Sequence, residues 1–343
     1  MLRRRRALAL LLALGGCSRR EPAATGGDAH AADASASTDA STSTDASPST
    51  DASTSADASP STDASASTSD DDDYLSALPK VAKGIGHTSV VFKLELSTGK
   101  KAAFKPASRR GPLRYKGEIA ARRLGVALAL PNVPRAFFRA MDAKALATAA
   151  ANGPPEAAEL LSKEAIVRGD VVKGALMPWI DGLTLLALER EPLASQWKVW
   201  LRKGEAIPDD QRALAAQIST LIAFDFVTGN WDRWSGGNVG IDKASGTLLF
   251  IDNDGAFFDV PPTDALQKNK RLLQGVDRFS KSFVTHLRAL DDAAFTAAIG
   301  EESPGVSLLS KKALDGALQR KKQVLEIIDA KQAAAESDAL SFP

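Results

Sequence analysis

Apolar side chains divide the chain into a short apolar leader, a long stretch without large apolar residues, and a body with strand and helix patterns. Between Ser18 and Asp73 a hexad of Asp-Ala-Ser followed by small residues recurs, with an aspartate at every sixth position from Asp33 to Asp63. These units offer only alanine methyl groups against the entropy of ordering the backbone. The pattern therefore predicts a disordered linker over residues 18–73 and folded sequence from near Tyr74.

The first seventeen residues are typical of an export signal. Arg3 to Arg6 precede an apolar stretch from Ala7 to Leu14, which is too short to cross a bilayer. Leu14-Gly15-Gly16-Cys17 then resembles the lipobox of bacterial lipoproteins, and Cys17 is the only cysteine in the chain. We predict a signal peptide over residues 1–17 and a lipid anchor on Cys17, which would attach the protein to the outer membrane or a periplasm-facing membrane of the bacterial cell envelope. A plain signal peptide or an uncleaved anchor is the alternative.

Charge follows the same division of the chain. The 343 residues carry 43 Lys and Arg against 42 Asp and Glu. Residues 1–73 hold 6 of the basic and 12 of the acidic side chains, which leaves 37 against 30 for the body. This surplus suits a protein that handles phosphates or acidic surfaces, but it is too dilute to indicate a nucleic-acid partner.

Strand patterns dominate the first hundred residues of the body, around one helix. Val90 to Leu96 and Ala102 to Lys105 flank a Ser-Thr-Gly-Lys turn, which predicts a hairpin that ends near a lysine. Lys116 to Gly125 predicts a helix that carries Glu118 and stops at Gly125. Kinases use a lysine on the third strand and a helical glutamate to orient the α- and β-phosphates of ATP, although either residue alone is more typical of a solvated surface. The intervening basic residues predict a mobile loop, which is either solvated or able to meet phosphates or acidic substrate: Arg109, Arg110, Arg114 and Lys116.

A glycine-rich segment precedes the hairpin. Gly84 and Gly86 match the first two glycines of the kinase pattern G-x-G-x-x-G-x-V, with Ser89 in place of the third. Two glycines separated by one residue are also common in ordinary turns. Further along, Val171 to Ile180 predicts a buried strand that leads into a linker, where Met177 is a candidate to line an adenine slot or simply part of the core.

The end of a long apolar helix presents polar side chains. Asp209-Asp210 is predicted to cap this helix, and Leu214 to Phe226 carry its apolar stripe before it ends at Gly229. The loop that follows contains Asp232 and Asn238. Phosphoryl transfer needs a carboxylate that orients the attacking hydroxyl and an amide that helps to hold a metal ion.

A second carboxylate pair follows a short predicted strand from Thr247 to Ile251, in the sequence Asp252-Asn253-Asp254-Gly255. A carboxylate at this place can hold a metal ion against the phosphates of a nucleotide. A hydrogen-bonded turn or a partial calcium loop is the alternative, although the glutamate that closes an EF-hand loop is missing.

Four segments together resemble the secretory-pathway kinases of the four-jointed and family-with-sequence-similarity-20 type. They are Phe224 to Arg233, Ile251 to Asp254, Phe104 to Pro106 and Glu118 to Ala121. The spacing from the Asp-Arg pair to the asparagine is also similar to phosphatidylinositol kinases and HipA-like kinases. The resemblance covers roughly Leu78 to Ala330. It implies an α+β, two-lobed protein-kinase-like fold, with a β-rich N-lobe over residues 74–178 and a mostly helical C-lobe over residues 179–335.

The resemblance also implies roles for the candidate residues. Asp232 would be the catalytic base. The nucleotide would be bound by Lys105, Glu118, Gly84, Gly86 and Met177. The ligands of a Mn²⁺ or Mg²⁺ ion would be Asn238 and Asp252, with Asp254 as the other candidate carboxylate. Asn238 stands one residue further from Asp232 than the family pattern, so Gly236-Gly237 must absorb an insertion.

Three functions fit these expectations. The first is transfer of the ATP γ-phosphate to Ser or Thr of envelope or secreted proteins, and the second is a kinase for a sugar, glycan or other small hydroxyl compound. The third is a nucleotide- or metal-binding lipoprotein without activity, because ATP is scarce outside a cytoplasmic membrane. The intact set of Lys105, Glu118, Asp232, Asn238 and Asp252 favours an enzyme, since a binding module gains nothing from keeping the base.

Overall fold

The computed structural model describes residues 68–86, 89–334 and 339–343. The predicted signal peptide, the predicted anchor at Cys17 and the predicted linker up to residue 67 lie outside the described residues. Within the described ranges no helix is long and apolar enough to cross a membrane. The described fold begins with helix α1 at Thr68–Ser76, a few residues before the predicted start at Tyr74.

The first part of the described chain is rich in strands. Its elements after α1 are β1 (Pro79–Gly84), β2 (Phe92–Leu96), β3 (Lys101–Pro106), α2 (Arg114–Ala127), β4 (Phe137–Asp142), α3 (Ala143–Ala151), α4 (Pro155–Glu164), β5 (Val167–Arg168) and β6 (Val171–Pro178). Six of the described strands form one antiparallel sheet in the order β1-β2-β3-β6-β4, with β5 paired to β6. The predicted hairpin is confirmed as β2–β3, in which Phe92 pairs with Phe104.

The two faces of this sheet differ because side chains alternate along each strand. On one face Phe92, Phe104 and Leu176 are fully buried and pack against α3 and α4. The register pairs Ala103 with Met177 and Lys105 with Ala175, so these side chains share the other face. One side of the sheet is therefore an apolar core, and the other presents a lysine among small and medium-sized residues.

The second part is mostly helical, as predicted. Its elements are β7 (Thr184–Leu185), α5 (Leu193–Trp200), α6 (Arg212–Thr228), β8 (Val239–Asp242), β9 (Thr247–Phe250), α7 (Thr263–Gln274), α8 (Lys281–Ala289), α9 (Asp292–Ile299), β10 (Glu301–Ser303), β11 (Val306–Ser307) and α10 (Lys311–Ala334). Helix α6 is buried along most of its length and lies at the centre of a core that also takes in α2. Gly229 ends α6 in a left-handed conformation (φ 65°), as the sequence predicted.

Two local predictions were wrong. Gly125 does not stop α2 but lies inside it, because a β-carbon there would be 2.9 Å from Val133 and only glycine permits that packing. The segment Asp209–Gln211 forms a 3-10 turn before α6 and its side chains do not cap the helix. Helices α8 and α9 are separate, since Asp291 accepts from the Ala294 N–H and caps α9.

Candidate active site

Strand β3 and helix α2 bring Lys105 and Glu118 together. The Lys105 ammonium lies 2.5 Å from Glu118 Oε1, and the two residues are 7% and 4% exposed. Lys105 also binds the Asp252 carboxylate and lies 3.4 Å from Asp254 Oδ2. Burial alone would lower the pKa of Lys105, but the three carboxylates outweigh it and hold this pKa well above its ordinary value. Lys105 is therefore a permanent positive charge.

The loop after α6 positions Asp232 and Asn238. The Asp232 N–H donates to Asn230 Oδ1 over 3.1 Å, and Asn238 Nδ2 donates to the Asp232 carbonyl over 2.7 Å. Gly236 and Gly237 both have positive φ (97° and 81°), a conformation that favours glycine. The predicted insertion is therefore accommodated by these two glycines, and the Asn238 amide stays tied to the Asp232 backbone.

Asp232 carries a perturbed carboxyl group. Burial raises its pKa above the ordinary value, and the neighbouring Asp252 and Asp254 carboxylates add to this rise. A hydrogen bond with Ser235 opposes the shift. A carboxyl group poised in this way suits proton transfer.

Asp252 and Asp254 follow β9 in a tight turn. Asp252 adopts a left-handed backbone conformation (φ 57°), which is strained for a residue with a side chain. Burial would raise the pKa of Asp252, but the Lys105 ammonium, together with Arg233 and Arg114, outweighs burial and lowers this pKa. Asp254 is 1% exposed and accepts a 2.7 Å hydrogen bond from Ser89 Oγ. A β-carbon at Gly255 would be 2.9 Å from Asp232 Cβ, so glycine lets this turn touch the Asp232 loop.

Arg233 ties these segments together, a role that the sequence did not indicate. Its guanidinium is fully buried, pairs with Asp225 of α6 at 2.9 Å and donates to Asn253 Oδ1 over 2.6 Å. It also donates to the carbonyls of Asn238 and Ile251. One side chain thus fixes the Asp232 loop, the end of β9 and the following turn against α6.

Arg114 was predicted in a mobile basic loop, and this prediction was wrong. Arg114 is the first residue of α2, and its Nη2 lies 2.6 Å from Asp254 Oδ1 and 3.6 Å from Asp232 Oδ2. Lys116 also belongs to the first turn of α2 and pairs with Glu302 at 2.9 Å. The helix begins without a side-chain cap at Leu113, so the sequence lacks the usual signal for its start.

The predicted nucleotide-binding residues Gly84 and Gly86 belong to the segment that precedes Ser89, and Met177 lies on β6. Gly84 ends β1, and a β-carbon at Gly86 would be 2.0 Å from the Ser89 carbonyl, so the turn requires glycine there. Ser89 joins this segment to Asp254. Met177 is half-buried on the face of the sheet that carries Lys105.

The donor set fits a divalent cation that is shared with phosphates. Two cations, Lys105 and Arg114, face four carboxylates, which leaves two negative charges. Among the described residues no group of three or more His, Cys, Asp or Glu side chains could by itself hold a metal ion. Mg²⁺ in kinases is usually held by one or two carboxylates and by the substrate phosphates. Asn238 Nδ2 is engaged with the backbone, so Oδ1 is the atom through which Asn238 would bind a cation.

Comparison with known proteins indicates the fold. No protein-family model and no curated protein sequence matches the chain. Among solved structures, a Golgi casein kinase is 14% identical with a TM-score of 0.58, over 77% of this chain and 74% of that one. The Golgi casein kinase with Mn and ADP bound gives 14% identity and 0.57, over 78% and 77%. Fam20 from hydra, solved with sugar, gives 16% identity and 0.58, over 78% and 89%. The predicted two-lobed, kinase-like fold is thereby confirmed.

Proposed function

We propose that the protein is an ATP-dependent phosphotransferase that phosphorylates Ser or Thr of envelope or secreted proteins. The observation that carries this proposal is the convergence of Lys105 and Glu118, Asp232, and Asp252 with Asp254 on one site that has an excess of negative charge. The kinase-like fold supports it, because such folds hold a nucleotide between a sheet and a helical lobe.

Each residue has a distinct task in this reaction. Lys105, held by Glu118, would bind the α- and β-phosphates of ATP. A Mn²⁺ or Mg²⁺ ion held by Asp252, Asp254 and Asn238 would supply positive charge against the phosphates. Asp232 would orient the acceptor hydroxyl and take its proton.

The proposed reaction exchanges one phosphorus–oxygen bond for another. The acceptor oxygen forms a bond to the γ-phosphorus while the bond from this phosphorus to the β,γ-bridging oxygen breaks. The hydroxyl proton moves to the Asp232 carboxylate, and ADP leaves with the bridging oxygen and its electron pair. Asp232 accepts the proton only when it is ionised, so its raised pKa sets an acid limit to the reaction.

We also propose that the protein is exported and attached to a membrane by a lipid anchor. The cationic and apolar leader and the single cysteine at position 17 support them. An anchored kinase would act on neighbours at the membrane surface. ATP for such an enzyme would have to reach the envelope, so turnover must be demonstrated directly.

A sugar hydroxyl is the second candidate acceptor. The hydra Fam20 structure contains sugar, and a small acceptor would use the same site residues. A nucleotide-binding protein without turnover is the remaining possibility, and the same assay separates the three.

The test is transfer of label from γ-labelled ATP by the purified full-length protein with Mn²⁺ or Mg²⁺. Envelope proteins, casein and monosaccharides serve as acceptors in parallel. Asp252→Asn should abolish transfer, whereas Asp264→Asn on the exposed first turn of α7 should leave it intact. Label on protein supports the proposal, and label on sugar alone supports the second acceptor. Nucleotide binding without any transfer would contradict both.

A further inference from the structure

Arg114 occupies an unusual place in the site. Its guanidinium lies between Asp254, at 2.6 Å, and Asp232, at 3.6 Å, which are the candidate metal carboxylate and the candidate base. Its Cζ stacks over the Trp231 ring at 5.5 Å, and Phe258 packs edge-on against that ring with a centroid separation of 6.1 Å. The guanidinium is therefore held on a rigid aromatic surface beside the reacting groups.

Arg114 and Trp231 each carry one hydrogen-bond donor that lacks an acceptor among the described residues. Arg114 Nε and Trp231 Nε1 are both buried, and neither has a hydrogen-bond partner among the described residues. Burying a donor without a partner is unfavourable, so such groups in a folded protein call for an explanation. A bound group that supplies acceptor oxygens would provide one.

The contacts of Arg114 with the protein use only part of its capacity. Both carboxylate contacts are made by Nη2, whereas a guanidinium offers five N–H donors in a planar fork that matches phosphate oxygens. The chain is also shaped around this side chain, because a β-carbon at Gly111 would be 2.3 Å from Arg114 Cδ. A lysine in its place would keep the charge and lose the fork.

We infer that Arg114 is a further catalytic residue, whose guanidinium binds the γ-phosphoryl group of ATP as it passes to the acceptor. The inference rests on the proposed function and adds one residue to it. During transfer, negative charge is spread over the three equatorial oxygens of the phosphoryl group. Arg114 is the cation of this site that lies beside the candidate base. It stabilises the negative charge on the phosphoryl oxygens, while Lys105 binds the α- and β-phosphates.

Nucleotide binding tests this inference without any need for turnover. The affinities of the full-length protein for ADP and for the non-hydrolysable triphosphate AMP-PNP are measured with Mn²⁺. Arg114→Gln should weaken AMP-PNP binding by about tenfold or more, as expected for the loss of a hydrogen bond to a charged group. ADP binding should change by less than about twofold, because ADP has no γ-phosphate. Arg109→Gln, at an exposed arginine nearby, should leave both affinities unchanged.

The rate supplies a second readout. Arg114→Gln should lower kcat by about 10³-fold, the lower end of the effect of an arginine that contacts the transferring phosphoryl group. Arg114→Lys should bind ADP normally and remain impaired in kcat, because a point charge does not replace the fork. Guanidinium ion added to Arg114→Ala should restore part of the rate.

Other results would overturn the inference. If Arg114→Gln weakens ADP and AMP-PNP equally, or if Arg114→Lys restores full kcat, the residue only balances charge or supports the fold. If the wild-type protein transfers phosphate and Arg114→Gln transfers it at a similar rate, the inference fails and the proposed function stands. If the wild-type protein binds neither nucleotide, the proposed function fails and the inference fails with it.

Discussion

Replacing Glu302 by glutamine tests how α2, which carries both Arg114 and Glu118, is held in place. Glu302 lies in β10 and is 7% exposed. Its carboxylate binds Lys173 at 2.5 Å and Lys116 at 2.9 Å, and it accepts from the Tyr115 hydroxyl over 3.0 Å. One carboxylate thus joins the first turn of α2 to β6 and to the hairpin of β10 and β11.

The expected loss of stability follows from these contacts. Hydrogen bonds to charged groups contribute about 1.5 to 3 kcal/mol each. Lys116 and Lys173 are partly exposed, with side-chain exposures of 17% and 35%, so solvent recovers part of each ion pair. Glutamine keeps an acceptor for Tyr115, and we therefore expect Glu302→Gln to lower the free energy of unfolding by about 2 kcal/mol at pH 7.

The loss should depend on pH. Burial alone would raise the pKa of Glu302, but Lys173 and Lys116 outweigh it and hold this pKa below the ordinary value of 4.5. A carboxyl group with a lowered pKa stabilises the fold above its unfolded pKa, and the effect is lost as the pH falls through the folded pKa. The difference between wild type and Glu302→Gln should therefore be full at pH 7 and shrink below pH 4.5.

Urea denaturation at pH 7 and at a series of acidic values measures this difference, provided that the m value is unchanged. Glu326→Gln on the exposed side of α10 is the matched control and should have no effect. Equal stability of Glu302→Gln and wild type at pH 7 would refute the reasoning. A difference that stays constant down to the lowest pH would refute its electrostatic basis.

Three further predictions follow from the site and the leader. The pKa of Asp232 is raised above the ordinary aspartate value of 3.8, so kcat/KM should fall as the pH drops through this raised pKa. An acid limb of the kcat/KM profile at or below pH 3.8 would remove Asp232 as the base. Gly255→Ala places a β-carbon 2.9 Å from Asp232 Cβ, so it should lower stability by about 1 to 3 kcal/mol and impair transfer, whereas Gly275→Ala, with 3.4 Å to its nearest neighbour, should do neither. Cys17→Ser should move the protein from the membrane to the soluble fraction, and retention in the membrane would contradict acylation.

Local patterns predicted most of the site. Lys105 could be predicted because it lies near the end of a short strand, and Asp252 because it comes just after one. Asp232 could be predicted because it follows a long apolar helix that ends in glycine. These signals depend only on neighbours in sequence. The same strand and helix order predicted a β-rich part followed by a mostly helical part.

Contacts between distant segments could not be predicted in this way. Arg233 follows Asp232 directly, yet its partners lie on α6, just before β8 and just after β9, and only the folded chain brings them together. Gly125 looked like a helix end because nothing in the sequence places Val133 against it. Arg114 was assigned to a mobile loop because α2 starts after Leu113 without a capping side chain.

The most direct test of the account compares Asp232→Asn with wild type in two measurements on the same sample: affinity for ADP with Mn²⁺ and the rate of phosphate transfer from ATP. The account predicts ADP affinity within about twofold of wild type, because Asp232 has no task in nucleotide binding, and a rate lower by about 10²-fold or more, because the proton acceptor is gone. An Asp232→Asn variant that transfers phosphate at the wild-type rate would contradict the central claim.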